Sequence, residues 1–364
     1  MTSLPRVEST ARPGTGLLRE RFDLALAEFI DRQERDWPAG TRPEVVTTLR
    51  KFVLGGGKRL RPTFCYWGWR GAGGPDADAV IAAAAALELF HAFALIHDDI
   101  IDRSDRRRGE PTVHRQFAEQ HASAGWRGDP VAFGRDTALL SGDLCAAWAE
   151  QMFHECGLPP ARIHRGYRVL ALMRTEVIAG QYLDMASDMA SGMSQSSVAT
   201  ALTVIRLKSA RYTVTRPLQI GAGLAEAPSK LHLAYEAFGD SLGDAFQLRD
   251  DVLGVFGDPE LTGKSIVDDL REGKHTVMMA LACDAADRTQ RSRLAILFAD
   301  PQLDPAGAAE LRALIVDTGA LERTEYMIKA RVDSALAALA QAPIPEPSRQ
   351  ALTLLAAAAV DRQW

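Results

Sequence analysis

Three aspartates close an otherwise apolar stretch of the sequence, and a run of arginines follows them. In residues 91–109, HAFALIHDDIIDRSDRRRG, the DDIID acids are Asp98, Asp99 and Asp102. On a helix, positions 98 and 102 lie one turn apart and share a face. Mg²⁺ relieves the repulsion between such carboxylates and still takes phosphate oxygens as ligands. Taken alone, the motif fits a solvated acidic helix end better than a metal site. The apolar helix before it and the arginines after it favour a site where a metal ion and cationic side chains bind one polyanion from two sides.

A second acidic helix end occurs much later in the sequence. In residues 246–258, FQLRDDVLGVFGD, Asp250 and Asp251 again end an apolar run. The apolar residues on both sides argue against a solvated turn. Two such helix ends that face each other would form one metal pocket.

Basic residues accompany two glycine-rich turns. Residues 54–62 read LGGGKRLRP, and residues 257–276 read GDPELTGKSIVDDLREGKHT. Glycine lets backbone N–H groups approach an anion closely. An ATP-binding P-loop is excluded at both turns, because Phe52 and Asp258 stand where that motif requires glycine. The turns therefore favour phosphate contacts of another kind.

A mostly helical scaffold must position these motifs. Helical periodicity dominates, for example in residues 17–33, 78–102 and 325–341, and strand-like alternation is scarce. Proline and glycine breakers separate the segments. The sequence predicts an all-α fold, with residues 1–16 as a disordered N-terminal segment and residues 17–364 as a single helical domain.

The apolar run at residues 80–101 has two alternative interpretations. It is long enough for a membrane span, but Glu88, His91, His97 and the paired aspartates interrupt it, so a buried core helix fits better. The spacing of Glu88 and His91 also suits a di-iron bundle. That class needs a second Glu-x-x-His, which the sequence lacks.

Composition narrows the functional class further. The chain of 364 residues has 42 basic and 47 acidic residues and a net charge of −5, which disfavours a general nucleic-acid surface. Its 4 cysteines form no CxxC pair, as expected in a reducing compartment. The N-terminus lacks the apolar region of a secretory signal. We expect a cytoplasmic protein with no transmembrane segment.

Taken in order, the motifs resemble those of the trans-isoprenyl diphosphate synthase (polyprenyl synthetase) family. The matching segments are GGGKRLRP, DDIID followed by RRG, GQYLD, LKS and QLRDDVLGVFGD. The resemblance covers roughly residues 50–276. It implies an isoprenoid-synthase-type helical bundle around a central cavity, generally in a homodimer. The implied reaction joins isopentenyl diphosphate to an allylic diphosphate with Mg²⁺, for which Mn²⁺ can substitute.

The resemblance also implies a role for individual residues. The residues implied to bind isopentenyl diphosphate are Lys58, Arg61, His91 and Arg108. Those implied to bind the allylic diphosphate are Arg107, Lys208, Ser209, Gln247, Lys264 and Lys274. The implied metal ligands are Asp98, Asp102 and Asp250, supported by Asp99 and Asp251. Ser209 replaces the usual threonine, and Gly254 stands where many members carry a third aspartate.

In such a site, the metal ion and the cationic side chains would act together in catalysis. They neutralise the leaving diphosphate, so that the isopentenyl double bond can attack an allylic cation. The resemblance implies that the departing diphosphate takes the released proton, so that no side-chain base is required. Asp98, Asp102, Lys208, Gln247 and Asp250 are therefore the expected catalytic residues.

Product length depends on what closes the apolar slot below Asp98. Helix rise places Phe93 roughly 7.5 Å and Phe90 roughly 12 Å along the axis, with Ala94 beside Phe93. An aromatic residue at the fifth position before the motif resembles geranylgeranyl (C20) or farnesyl (C15) producers, and we favour C20. The alternatives are a farnesyl diphosphate synthase, a class I terpene cyclase and a non-catalytic regulatory subunit.

Overall fold

The computed structural model describes residues 15–42, 44–190, 197–257, 270–271, 273–300 and 302–360. Within them the chain is almost wholly helical, which confirms the predicted all-α fold. The helices are α1 (Thr15–Arg35), α2 (Glu44–Leu54), α3 (Leu60–Gly71), α4 (Asp78–Ile101), α5 (Val113–Ser123), α6 (Pro130–His154), α7 (Pro160–Ala190), α8 (Val198–Val204), a π-helical segment (Ile205–Thr215), α9 (Arg216–Leu224), α10 (Ser229–Phe256), α11 (Val277–Ala285), α12 (Arg288–Leu297), α13 (Pro305–Asp317), α14 (Ala320–Gln341) and α15 (Glu346–Val360). A short antiparallel ribbon, β1 (Arg106–Arg107) and β2 (Glu110–Pro111), follows α4.

The core consists of two hydrophobic clusters. One draws mainly on α1 to α7 and the other mainly on α8 to α15. Trp67 of α3 packs against both clusters. All four cysteines are free and buried, as expected for core fillers.

Helix α4 is apolar on almost every side, as expected for a helix surrounded by protein. Among the described helices it alone is long and apolar enough to cross a membrane, yet 67% of its most apolar window is buried. It packs along α3 and α6. The acidic motif therefore stands at the end of a core helix, where the apolar run and the carboxylates meet.

A π-helical segment lies between α8 and α9 and carries Lys208. Two glycines let neighbouring helices approach its backbone. A Cβ added at Gly180 of α7 would stand 2.5 Å from the backbone nitrogen of Lys208, and one at Gly243 of α10 would stand 2.5 Å from Ala210 Cα. Only glycine tolerates this spacing, because real Cβ contacts are longer. The two helices thereby fix the position of Lys208.

The predicted N-terminal segment lies mostly outside the described residues. The description begins at Thr15, and α1 starts there, so this helix includes two residues that the sequence assigned to the segment. Buried side chains of α1 include Phe22, Leu26 and Phe29. Helix α1 therefore packs into the core.

Candidate active site

A cleft of about 690 Å³ opens beside the C-terminal ends of α4 and α10. Helices α3, α7 and α8, the π segment and the loop before α11 complete its wall. The predicted site residues that line it are Arg61, His91, Phe93, Ala94, Asp98, Arg107, Lys208, Ser209, Gln247, Asp250, Asp251 and Lys274. The structure thus brings residues from five sequence motifs to one cavity.

The two adjacent aspartates at the end of α4 have different surroundings. Asp99 is buried, and the Arg107 guanidinium donates to it at 2.8 and 2.9 Å through Nε. Asp98 lines the cleft, and Arg107 lies 3.6 Å from its carboxylate. Asp99 therefore holds Arg107 in place, while Asp98 is directed at the cavity.

Lys208 joins the π segment to α4 and α7. Its ammonium donates to Asp184 Oδ2 at 2.7 Å and lies 3.5 Å from Asp98 Oδ1. Burial lowers the pKa of Lys208, but the carboxylates of Asp98 and Asp184 outweigh this effect, and the pKa is raised. Lys208 is therefore a charged group at the cleft wall.

The second acidic motif faces the same cleft. Asp250 and Asp251 both line it, and Gln247 Nε2 donates to Asp251 Oδ1 at 2.8 Å. Burial raises the pKa of Asp251 to about 7, and the hydrogen bond from Gln247 offsets part of that rise. The neighbouring carboxylates of Asp250 and Asp184 add to the rise and the charge of Lys274 opposes it, so negative charge accumulates at this end of the cleft.

The carboxylates fit a divalent cation that also takes ligands from a substrate. Asp98 Oδ1 is buried, and no hydrogen-bond donor of the described residues reaches it. In the same part of the chain, no three acidic, histidine or cysteine side chains already converge on one point. Mg²⁺ requires fewer protein ligands, because it keeps waters and binds phosphate oxygens. Asp102 lies beside the cleft, 3.6 Å from the ammonium of Lys274.

A separate group of cations surrounds His91. The Tyr212 hydroxyl lies 2.9 Å from His91 Nδ1, and the Arg61 guanidinium stacks over the Tyr212 ring at 4.0 Å. Burial and the charges of Arg61 and Arg108 lower the pKa of His91 well below its ordinary value. A neutral imidazole among guanidinium groups is suited to an anionic ligand.

Arg59 explains why Glu88 does not act as a metal ligand. Arg59 is buried and donates to Glu88 Oε2 at 2.8 Å, with a second ion pair to Asp23 at 2.7 Å. Glu88 is only 6% exposed. The spacing of Glu88 and His91 thus serves a core ion pair, in agreement with the exclusion of a di-iron centre.

The apolar part of the cleft follows α4 away from the aspartates. Phe93 and Ala94 line it. Phe90 is 2% exposed, and its ring lies 5.2 Å from the Phe93 ring and 5.8 Å from the Tyr212 ring. Phe90 therefore stands behind Phe93, on the side of the ring away from the aspartates.

Six predicted residues are not among those that line the described cleft: Asp99, Asp102 and Phe90, whose surroundings are given above, and Lys58, Arg108 and Lys264. Lys58 is exposed on the loop before α3. Arg108 reaches back to that loop, where it donates to Gly56 O at 3.1 Å. Lys264 lies outside the described residues, as does Asp258.

Sequence reasoning assigned no role to two residues that contribute to the site. Asp184 belongs to the quoted GQYLD segment, but nothing in that segment indicates its partner Lys208. Tyr212 lies one helical turn after Lys208, a spacing that would have placed it on the same face. It lines the cleft and contacts His91.

Comparison with known proteins agrees with this geometry. The polyprenyl synthetase family model matches residues 42–314. A geranylfarnesyl diphosphate synthase of Aeropyrum pernix is 33% identical over 92% of this chain and 99% of its own length. A (2E,6E)-farnesyl diphosphate synthase of Mycobacterium bovis is 30% identical over 98% of this chain and 95% of its own length.

A solved structure is similar as well. It is a geranylgeranyl pyrophosphate synthase from Corynebacterium glutamicum, complexed with isoprenyl diphosphate and magnesium. It superposes with a TM-score of 0.90 at 40% identity and covers 95% of this chain and 99% of its own. The length of the family match and these relatives establish that the chain belongs to the polyprenyl synthetase family.

Proposed function

We propose that the chain is a trans-prenyltransferase that joins isopentenyl diphosphate to an allylic diphosphate and releases geranylgeranyl diphosphate (C20). The observation that carries the proposal is one cleft with three parts. Two aspartate-rich helix ends face it, arginines surround His91 beside it, and an apolar slot continues below. A terpene cyclase would have no use for the second cationic region.

Mg²⁺ is the proposed cofactor, and Mn²⁺ is the alternative ion. Asp98, Asp102 and Asp250 would hold it, with Asp99 and Asp251 in support. The unsatisfied Oδ1 of Asp98 and the desolvated carboxyl of Asp251 support this assignment. When bound, the ion neutralises diphosphate charge.

The protein cations orient the two diphosphates. Lys208, Arg107 and Gln247 would bind the allylic diphosphate beside the aspartates, together with Ser209, Lys264 and Lys274. The residues proposed for isopentenyl diphosphate are Lys58, Arg61, His91 and Arg108. Positive charge fixed in place stabilises the charge that develops on the leaving group. The apolar slot excludes water from the allylic cation.

Phe93 and Phe90 are the proposed determinants of product length, with Ala94 as a small neighbour. Phe93 lines the cleft, and Phe90 stands behind it. The Phe93 ring alone would favour the C15 product, whereas a tail that passes it would end at Phe90. We favour C20, with a tail that passes Phe93 and ends at the buried Phe90 ring.

A homodimer in the cytoplasm is the proposed working form. Exposed apolar side chains follow α7, including Ile178, Tyr182 at 74% exposure and Met185. Leu140 of α6 is exposed by 70%. Exposed large apolar side chains at helical spacing on one element are typical of a protein contact surface. A second copy would cover it and, since Ile178 and Tyr182 also line the cleft, would help to close the cavity.

The direct test uses purified protein, labelled isopentenyl diphosphate, Mg²⁺ and C5, C10 or C15 allylic primers. Products are dephosphorylated and separated by chromatography. A C20 alcohol from all three primers is expected. A stop at C15 would assign a farnesyl diphosphate synthase, and cyclic hydrocarbon formed without isopentenyl diphosphate would assign a cyclase. No product under any condition would refute prenyl transfer and favour a regulatory subunit.

A further inference from the structure

A second, much smaller cavity lies on the other side of the Phe90 ring. Its volume is about 10 Å³, close to the space that one water requires. Small side chains form much of its wall, namely Ala86 of α4 together with Ala146 and Ala149 of α6. The Phe90 ring therefore separates the cleft from a space that narrow side chains leave open.

Two charged residues contribute to the wall of this cavity, although nearly all of its accessible surface is apolar. Glu150 of α6 and Arg174 of α7 both line it, and the Arg174 guanidinium donates to Glu150 Oε2 at 3.3 Å. The Tyr167 hydroxyl donates to Glu150 Oε1 at 3.0 Å. This hydrogen bond, followed by the charge of Arg174, lowers the pKa of Glu150. The ionised form of the Glu150 carboxyl is thereby favoured.

The cleft and the small cavity lie along one path. On α4, the distance along the axis from Asp98 is about 12 Å to Phe90 and about 18 Å to Ala86. On α7, Asp184 lines the cleft and Arg174 lines the small cavity, about 15 Å farther along that axis. Both helices thus run from the aspartates towards the ion pair.

We propose that the Glu150–Arg174 pair is a second, polar floor that limits product length when Phe90 no longer closes the slot. This inference rests on the proposed prenyl transfer. A hydrocarbon tail that reached the pair would remove water from two charged groups and offer no hydrogen bond in return. The side chains of Arg174 and Glu150 are 28% and 40% exposed, so each has hydration to lose.

The test compares product lengths in a background that lacks the first floor. Phe90→Ala should give a longer product that still has a defined maximum chain length, which we call the stop. Adding Glu150→Leu and Arg174→Leu together should move that stop by at least one further C5 unit. A charge exchange, Glu150→Arg with Arg174→Glu, keeps a polar floor and should keep the Phe90→Ala stop.

Two controls distinguish the loss of the polar floor from a general loosening of the helix packing. The leucine pair with Phe90 intact should give wild-type product lengths, because the ring closes the slot first. Leucines at Arg293 and Glu310, an ion pair with a 2.6 Å contact between α12 and α13, should not move the Phe90→Ala stop. If the leucine pair at Glu150 and Arg174 does not fold, Glu150→Gln with Arg174→Met removes both charges and carries the same expectation.

The outcomes distinguish this inference from the proposed function. Products of the same length with and without the ion pair, in the Phe90→Ala background, would overturn the polar floor alone. So would an equal lengthening by the leucines at Arg293 and Glu310. Failure of the wild-type protein to form any prenyl product would instead overturn the proposed function.

Discussion

The Lys208 ammonium forms an ion pair with Asp98 Oδ1 at 3.5 Å, and within the described residues this buried oxygen accepts no hydrogen bond. Asp184 holds Lys208 from the other side at 2.7 Å. Asp99, the next residue, instead forms an ion pair with the Arg107 guanidinium. Neighbouring aspartates of one motif therefore differ in what they can do: Asp98 can bind a ligand, and Asp99 positions a cation.

Substitution by asparagine should separate these two roles. Asp98→Asn removes charge from the cleft and should lower turnover by about 10²-fold or more, with an unchanged unfolding midpoint. Asp99→Asn weakens a charged hydrogen bond to Arg107 and should reduce the free energy of unfolding by about 1.5–3 kcal/mol. Steady-state kinetics and urea unfolding measure both effects. Wild-type turnover in Asp98→Asn would contradict its assignment.

The lowered pKa of His91 predicts a pH dependence of stability. Burial and the charges of Arg61 and Arg108 keep the folded-state imidazole neutral, while the unfolded chain protonates it near its ordinary pKa of about 6.5. Its contribution to stability is therefore complete above that pH and is lost as pH falls below it.

His91→Gln, which cannot titrate, should lose less thermal stability than the wild type between about pH 7 and pH 5. Thermal unfolding followed by circular dichroism measures the slope. His164→Gln, at an exposed position of α7, serves as the matched control and should keep the wild-type slope. Equal slopes in His91→Gln and the wild type would show that His91 is not responsible.

Gly180 should not tolerate a side chain. A methyl group there would stand 2.5 Å from the backbone nitrogen of Lys208 and 2.9 Å from the carbonyl carbon and Cβ of Leu207. Helix α7 and the π segment would therefore have to move apart. Gly180→Ala should cost about 1–3 kcal/mol of unfolding free energy, as overpacking usually does. Ala179→Ser, at the exposed neighbouring position, should stay within about 0.5 kcal/mol. Urea unfolding with equal midpoints for both variants would disprove the close contact.

Helix α14 should influence metal binding from behind the second motif. Arg249, which precedes Asp250, forms two hydrogen bonds with Glu325 of α14 at 2.6 and 2.8 Å. Glu325→Gln should weaken apparent Mg²⁺ affinity by about 10-fold, because partners that orient ligands have effects of this size. Mg²⁺ titration of activity tests this.

Glu322→Gln, at an exposed position of the same helix, should bind Mg²⁺ as the wild type does. Both variants should unfold at similar temperatures. A matching loss of affinity in both would indicate a general effect of charge and not the contact with Arg249.

The position of the acidic residues in the cleft was predictable where spacing and apolar neighbours pointed the same way. Carboxylates at the ends of apolar helices indicated a cation, and periodicity indicated which faces were buried; Asp98 and Asp250 follow from these two patterns alone. Partners on other helices were not predictable. The contact of Lys208 with Asp184 depends on how α7 crosses the π segment, which no local pattern encodes.

The sequence also could not distinguish the roles of two neighbouring arginines within one motif. Arg59 and Arg61 both belong to GGGKRLRP, yet Arg59 is buried against Glu88 and Arg61 lines the cleft. The left-handed backbone of Arg59, with φ of 49°, directs the two side chains differently. Composition and spacing carry no information on such a conformation, because left-handed residues other than glycine are uncommon.

The π-helical segment also makes the chain sensitive to a change in its length. Each π turn holds more residues than an α turn, so the 11 residues from Ile205 to Thr215 are wound more widely than their neighbours. Deletion of one residue here would tighten the wide turns towards α-helical winding, and the side chains that follow within the segment would then face new directions relative to α8. In this part of the protein, the number of residues sets the direction in which the following side chains face.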